Sequence, residues 1–267
     1  MTTATNFLAG DGDGYEAQMG RWSRRLAPLF IDFAGIAAAN RVLDVGCGTG
    51  SLTFALARNP RIGAIDGLDQ SAVYVEYANR RASDARPCFR VGDACALPFA
   101  DGTFDCALSS LVLQFIPDPD RAVGEMKRVT RCGGTVAAAT WDTRELAIHR
   151  MFFETAAELD ERARELRTAA CARAMARSDG LLEAWRSAGM RNITLDRLTI
   201  SMDFACFADF WTPMQGKDGP FAQYFSTLAA EGKTALETRV QREYLHGGPD
   251  GPRSYTSAAW AVKGTVP

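Results

Sequence analysis

The chain carries two periods of hydrophobic positions, and they divide it into regions. Between residues 41 and 140, short and almost unbroken apolar runs recur at 41–45, 63–68, 88–91, 104–109 and 135–140. Runs without polar alternation are buried on both faces, the condition of strands in a parallel sheet. Between them the spacing changes to the helical period. Residues 51–58 present Leu52, Phe54, Ala55 and Leu56, and Ser51 is placed to cap that helix. Ser71 caps a second helix through Val75, Tyr77 and Ala78. Pro117-Asp118-Pro119-Asp120 opens a third through Ala122, Met126 and Val129. Asn59-Pro60, Gly92-Asp93, Asp101-Gly102 and Cys132-Gly133-Gly134 punctuate the series. Strands alternating with helices predict an α/β fold built on a doubly wound, mostly parallel sheet.

Outside this core the pattern changes. Residues 15–35 read as helical, with Trp22, Leu26, Leu29, Phe30 and Phe33 in phase, and Pro28 predicts two short helices or a kink. Residues 142–177 are helical and charged, with Met151, Phe152, Ala156 and Leu159 on one face. Arg162, Arg164, Arg167, Arg173 and Arg177 alternate there with glutamates, as on a salt-bridged surface helix. A helix over 179–188 stops at Gly189. Residues 192–202 alternate as a strand, 203–244 are helical and rich in aromatics, and 255–263 read as a last edge strand. Residues 1–267 thus read as one domain. It has a core over 41–140 and two insertions, 142–177 and 203–251, leaving from the strand ends where open α/β sheets bind ligands. Their aromatic and methionine side chains suit a helical cap over an apolar substrate site, although any single one is more often there to hold the cap to the core.

Composition narrows the function classes. A chain of 267 residues, 47% hydrophobic, can bury a substantial core. Its net charge of -2 and pI near 5.8 argue against broad contact with nucleic acid or an anionic membrane. No apolar stretch has bilayer-spanning length, and residues 1–13 hold no leader-like run, so a cytoplasmic protein is expected. Seven scattered cysteines without a C-x-x-C pair, and two distant histidines, support neither a disulfide framework nor a metal site.

The chemistry concentrates at residues 42–50, Val-Leu-Asp-Val-Gly-Cys-Gly-Thr-Gly. A buried strand, a glycine turn and a helix start make a cofactor cradle. The dinucleotide fingerprint is G-x-G-x-x-G, whereas this loop is G-x-G-x-G with Asp44 two residues before the first glycine. A carboxylate there repels a pyrophosphate and suits a cationic ligand. Asp69, at the end of the second strand, can accept hydrogen bonds from both hydroxyls of a ribose. Asp66 is a rival inside the strand.

These residues, with Asp69-Gln70-Ser71 followed by Val75-Glu76-Tyr77-Ala78, resemble the class I S-adenosylmethionine-dependent methyltransferases. The likeness is strongest to the small-molecule branch that includes the ubiquinone/menaquinone-biosynthesis-type enzymes. It implies a Rossmann-like, seven-stranded sheet ending in an antiparallel strand pair, with S-adenosylmethionine as cofactor. It implies a cofactor loop of Gly46, Cys47 and Gly48, a ribose contact at Asp69 and Gln70, and an adenine contact at Asp93 and Ala94. It places Ser109 beside the sulfonium, and Gln114 where many relatives carry histidine. Residues 15–35 would lie across the cofactor mouth, with Tyr15 over it and Arg21 meeting the methionine carboxylate. Ser109-Ser110-Leu111-Val112 departs from the Asn/Asp-Pro-Pro-aromatic tetrapeptide of the enzymes that methylate base amines. Cys106 lies in a buried strand, and the Pro87-Cys88 pair is in the wrong place for a base-carbon nucleophile.

A methyltransferase of this kind aligns a small, partly apolar acceptor for direct displacement at oxygen, nitrogen or carbon. An oxygen acceptor usually needs a base, for which His149 is the candidate; His246 reads as a loop residue. The expected partner is that small-molecule acceptor, with no nucleic acid, membrane or metal, in a monomer or homodimer. Two rivals stand beside this reading: an NAD(P)-dependent oxidoreductase on the same sheet, and a catalytically silent S-adenosylmethionine-binding module.

Overall fold

The five apolar runs form β1 (Ala39–Val45), β2 (Ile62–Asp69), β3 (Pro87–Val91), β4 (Phe104–Ser110) and β5 (Thr130–Trp141) in the computed structural model, which describes Phe7 and residues 9–267. Residues 1–6 and 8, and with them part of the stretch expected to lack a leader, lie outside the described residues. All neighbours among these five strands are parallel. With β6 (Arg191–Phe204) and β7 (Arg253–Thr265) the sheet has seven strands in the order β3-β2-β1-β4-β5-β7-β6. β7 runs antiparallel to both its neighbours. The strand order reverses direction at β1, whose partners are β2 and β4, and open α/β sheets bind ligands beyond the strand ends at such a point. Register puts Asp44 level with Gly67 on one side and Leu108 on the other, one residue short of that opening.

Helices cover both faces. On one, Trp22, Leu26 and Phe30 of the helix Arg21–Ala34 pack with Leu52, Leu56 and Ile65. On the other, Val123 and Met126 meet Leu181 and Trp185, whose indole N–H donates to the Val136 carbonyl at 3.1 Å. No described helix is long and apolar enough to cross a membrane.

Several expectations are corrected here. The edge strand is β6, and β7 lies inside the sheet. The burial patterns give the reason: Ala258, Ala259, Ala261 and Val262 are almost wholly enclosed, whereas β6 is largely exposed along its first half. Pro28 does not split its helix, which runs unbroken from Arg21 to Ala34; the irregularity comes earlier, as a wide π turn over Glu16–Gly20. Cys132-Gly133-Gly134 does not lie between a helix and a strand but inside β5, where a register shift against β4 absorbs the extra residues. Ser51 does not cap its helix: Gly50, in the left-handed region, is the N-cap, and Ser51 is the first helical residue.

The two insertions pack against each other. The first supplies the helices Ala147–Leu159 and Glu161–Ala172, and the second Phe207–Trp211, Gly219–Ser226 and Ala230–Leu245. Phe152 stacks on Trp211 at 5.9 Å and meets Phe221 edge-on at 5.2 Å. The Tyr224 hydroxyl donates to Asp160 at 2.9 Å.

Candidate functional site

The glycine loop turns because its backbone is pinned to β2. Gly46 and Cys47 both donate N–H bonds to the Leu68 carbonyl, at 2.7 and 3.0 Å. Gly46 takes φ 73°, and a Cβ there would lie 2.5 Å from both γ-carbons of Val112. Gly48, at φ 52°, has nothing within 4 Å of its would-be Cβ, so its backbone faces open space. Gly46→Ala therefore combines a left-handed strain with a clash. It is expected to lose roughly 2–4 kcal/mol of stability in urea unfolding, and a loss under about 0.5 kcal/mol would contradict that packing.

Three carboxylates border the opening. Asp44 is almost fully buried and accepts from the Thr53 hydroxyl at 2.6 Å through one oxygen. Its other oxygen has no partner among the described residues. Burial pushes its carboxyl up to about 7, and the nearby Asp69 charge adds to that against the Thr53 bond. Asp69 accepts the Gly48 N–H at 2.9 Å and the Ser71 N–H at 2.8 Å, so it ties the glycine loop to the next helix. Burial raises its carboxyl as well, and those backbone bonds oppose the rise. Asp66 is held by Arg41 at 2.9 Å and Arg90 at 2.8 Å, away from the opening, which leaves Asp69 as the acid at that strand end. Asp93 accepts the Cys95 N–H at 2.8 Å and turns the chain at Ala94.

These groups line one cavity of about 900 Å³, at the upper end of the range for small-molecule sites. Tyr15, Asp44, Gly46, Cys47, Gly48, Asp69, Gln70, Asp93, Ala94, Gln114 and His149 all face it. Two candidates do not. Arg21 is engaged by Asp209, at 2.7 Å to the carboxylate and 2.9 Å to the carbonyl, and its guanidinium lies on the Trp22 ring. The π turn before it accounts for the difference: one wide turn rotates every later side chain relative to Tyr15. Ser109 is fully buried below the opening, and its neighbour Ser110 lines the cavity instead. β4 runs one residue further than expected, and strand side chains alternate faces. Leu111 then leaves the sheet in the left-handed region, at φ 66°.

Other groups in and around the cavity were not legible in the sequence. Ser51, freed from capping, presents a buried hydroxyl without a partner among the described residues. Asp218, from the second insertion, accepts the Gly10 N–H at 2.7 Å, the Asp11 N–H at 3.1 Å and the Tyr74 hydroxyl at 2.7 Å. Gln18 donates to the Pro213 carbonyl at 3.1 Å. Together these fasten the N-terminal segment over the cavity mouth, where Tyr15 packs against Tyr74 at 5.1 Å. Glu16 reaches the Thr49 hydroxyl of the glycine loop and also pairs with Arg24.

The insertion side of the cavity is apolar, with Trp141, Leu146, Phe153, Leu166 and Phe221. His149 lies among them, buried, its ring 4.8 Å from Phe153. Burial, and then the Arg167 and Arg173 charges, pull its imidazole down to about 3, so it is neutral at ordinary pH. Arg162 and Arg173, expected on a solvated face, also line this half.

The residues present fit S-adenosylmethionine. A buried carboxylate with a free oxygen meets the need of an ammonium, open backbone at Gly48 admits close approach, and an acid ends β2. Residues 43–138 match the methyltransferase domain family. Demethylmenaquinone methyltransferase of Renibacterium salmoninarum is 38% identical over 125 residues, which are 46% of this chain and 48% of that protein. The chain spans about a third to a half of the length of the curated relatives it matches first, 36% to 48%. Among solved structures, phosphoethanolamine N-methyltransferase 2 of Haemonchus contortus, determined with S-adenosyl-L-methionine, superposes with a TM-score of 0.59 at 16% identity. That alignment covers 96% of this chain and 57% of the other. The [4+2]-cyclase SpnF superposes at 0.55 and 22% identity, over 98% and 87% of the two chains. At such identities the likeness is one of fold. Over residues 43–138 the chain is thus similar to S-adenosylmethionine-dependent methyltransferases, and it shares their strand order and an acid-bordered glycine loop.

Proposed function

We propose that the protein transfers the methyl group of S-adenosylmethionine to a small, partly apolar acceptor by direct displacement. The observation that carries this reading is the continuity of one cavity from the acidic strand ends to the aromatic insertions. Asp44 would hold the ammonium of the cofactor, Asp69 its ribose, and Asp93 with Ala94 its adenine. When bound, the cofactor supplies an electrophilic methyl group on a sulfonium. The insertions act as the cap: Phe153 and Phe221, with Trp141 at the end of β5, exclude water and confine the acceptor, which supplies most of what a displacement on a good leaving group requires. An oxidoreductase using NAD(P) is disfavoured because a pyrophosphate at this loop would face Asp44. A silent module remains the alternative, because the [4+2]-cyclase shares the fold.

Transfer of tritiated methyl from S-adenosylmethionine to a panel of small phenols, amines, carboxylic acids and thiols tests the reading. Label on any of them supports it; tight cofactor binding with no transfer across the panel would favour the silent module.

His149 is a neutral imidazole whose Nδ1 has no partner among the described residues. It can accept a hydrogen bond from an acceptor hydroxyl and take its proton as the methyl transfers. With an oxygen acceptor, His149→Gln is expected to lower kcat by about 100-fold while leaving cofactor affinity unchanged. Undiminished turnover in that variant would remove His149 from the chemistry.

A further inference from the structure

Charge along the cavity is divided by origin. The acids that line it, Asp44, Asp69 and Asp93, all come from the strand ends, and no aspartate or glutamate lines its insertion half among the described residues. The charged groups of that half are Arg162 and Arg173. Their neighbours in sequence are spoken for: Arg164 pairs with Glu161, Arg167 with Glu154 and Arg177 with Asp179. Neither the Arg162 nor the Arg173 guanidinium pairs with a carboxylate among the described residues, although the Arg162 backbone N–H donates to Asp160 at 3.1 Å. Arg173 is half-buried, makes one long bond of 3.4 Å to the Gln114 carbonyl and lies 5.5 Å from the Phe115 ring. A guanidinium drawn out of water without a counter-charge is unfavourable, and its planar fork suits a carboxylate or phosphate. Close by, His149 is more than nine-tenths buried, with an unpartnered nitrogen, among apolar rings.

Resting on the methyltransferase reading, we infer that the acceptor is an oxyanion: an apolar body carrying a carboxylate or phosphate that Arg173, with Arg162, holds while His149 faces its nucleophilic group. Apolar contact comes from Phe153, Leu166 and Phe221. A cationic acceptor would find, among the described residues, no acid in this half and two arginines, the exposed Arg162 and the half-buried Arg173, in its lining. The anion also has a chemical consequence. Burial is the main cause that depresses the basicity of His149, and the Arg167 and Arg173 charges add to it, so an oxyanion seated on Arg173 offsets one of the smaller contributions and makes the imidazole a better proton acceptor with the acceptor in place.

Calorimetry on the protein saturated with S-adenosylhomocysteine tests this with octanoate, octyl phosphate, 1-octanol and octylammonium as probes. At least one of the two anions is expected to bind tenfold or more tighter than octanol, with octylammonium weakest, and the better anion identifies the headgroup. Arg173→Gln is expected to cut that advantage below threefold with octanol affinity unchanged, and Arg173→Lys to keep part of it. Equal affinity for octanol and both anions, no measurable binding of either anion, preference for octylammonium, or an anion preference that survives Arg173→Gln would each overturn the inference. Failure of S-adenosylhomocysteine itself to bind would instead overturn the methyltransferase reading.

Discussion

Asparagine at position 44 is expected to make the ligand-free protein more heat-stable and the cofactor complex much weaker. Asp44 sits almost fully buried with one oxygen unpartnered, and its carboxyl is raised from 3.8 to about 7. A carboxyl whose folded value lies above its unfolded one stabilises the fold below the unfolded value. That contribution is lost as pH rises through the folded value. At pH 8 the wild type therefore carries a buried charge that Asp44→Asn removes, for a gain on the order of 2 kcal/mol, or about 5 °C in Tm. The gain should shrink toward zero as the pH is lowered to about 4, where both side chains are neutral. Binding moves the other way. A cationic ligand requires the ionised form, and losing one partner of a buried ion pair is worth about 3 kcal/mol or more, so Kd for S-adenosylhomocysteine should rise at least about 100-fold. Wild-type affinity should also climb about tenfold per pH unit below pH 7 and then level off, and the variant should show no such slope. Scanning calorimetry between pH 4 and 8 measures the first effect, and titration between pH 5.5 and 7.5 the second. A destabilised variant with unchanged affinity would show that Asp44 serves the fold alone.

Asp69→Ala is expected to weaken cofactor binding by a similar factor, for a different reason. The carboxylate holds the loop through the Gly48 N–H and the following helix through the Ser71 N–H. Hydrogen bonds to a charged acceptor are worth roughly 1.5–3 kcal/mol each, so alanine loses both the ribose contact and the shape of the loop. Kd should rise at least about 100-fold, and amide exchange at Gly48 should speed up in the ligand-free variant. Adenosine should lose as much affinity as the whole cofactor, because the ribose is common to both. Loss confined to the methionine-bearing ligand would place the ribose elsewhere.

The parallel core could be read from the sequence because its strands are nearly continuous apolar runs separated by amphipathic helices, signals that survive without tertiary information. The glycine loop, Asp44 and Asp69 drew notice because each sits at the end of an apolar run, whereas Asp93 was singled out by the family resemblance; all of them line the cavity. The misplacements are ones of phase. Whether Ser109 or Ser110 faces the cavity depends on a single residue of strand, and Arg21 is turned away by one π turn that no spacing rule foretells. Ser51 lost its cap because Gly50 adopts a conformation open to glycine. Other features are tertiary throughout. Asp218 binds Gly10 across 208 residues of chain. Arg167 finds Glu154 on another helix while Arg173 finds no acid among the described residues, so a run of five alternating arginines looks uniform until the fold separates paired from unpaired ones.

Competitive titration of the wild type with S-adenosylmethionine, S-adenosylhomocysteine, NADH and NADPH at pH 7 addresses the central claim most directly. A cavity bordered by Asp44, Asp69 and Asp93 should take the two sulfur-containing nucleosides at micromolar Kd and neither dinucleotide at millimolar concentration. Either dinucleotide binding as tightly as S-adenosylmethionine would contradict the assignment.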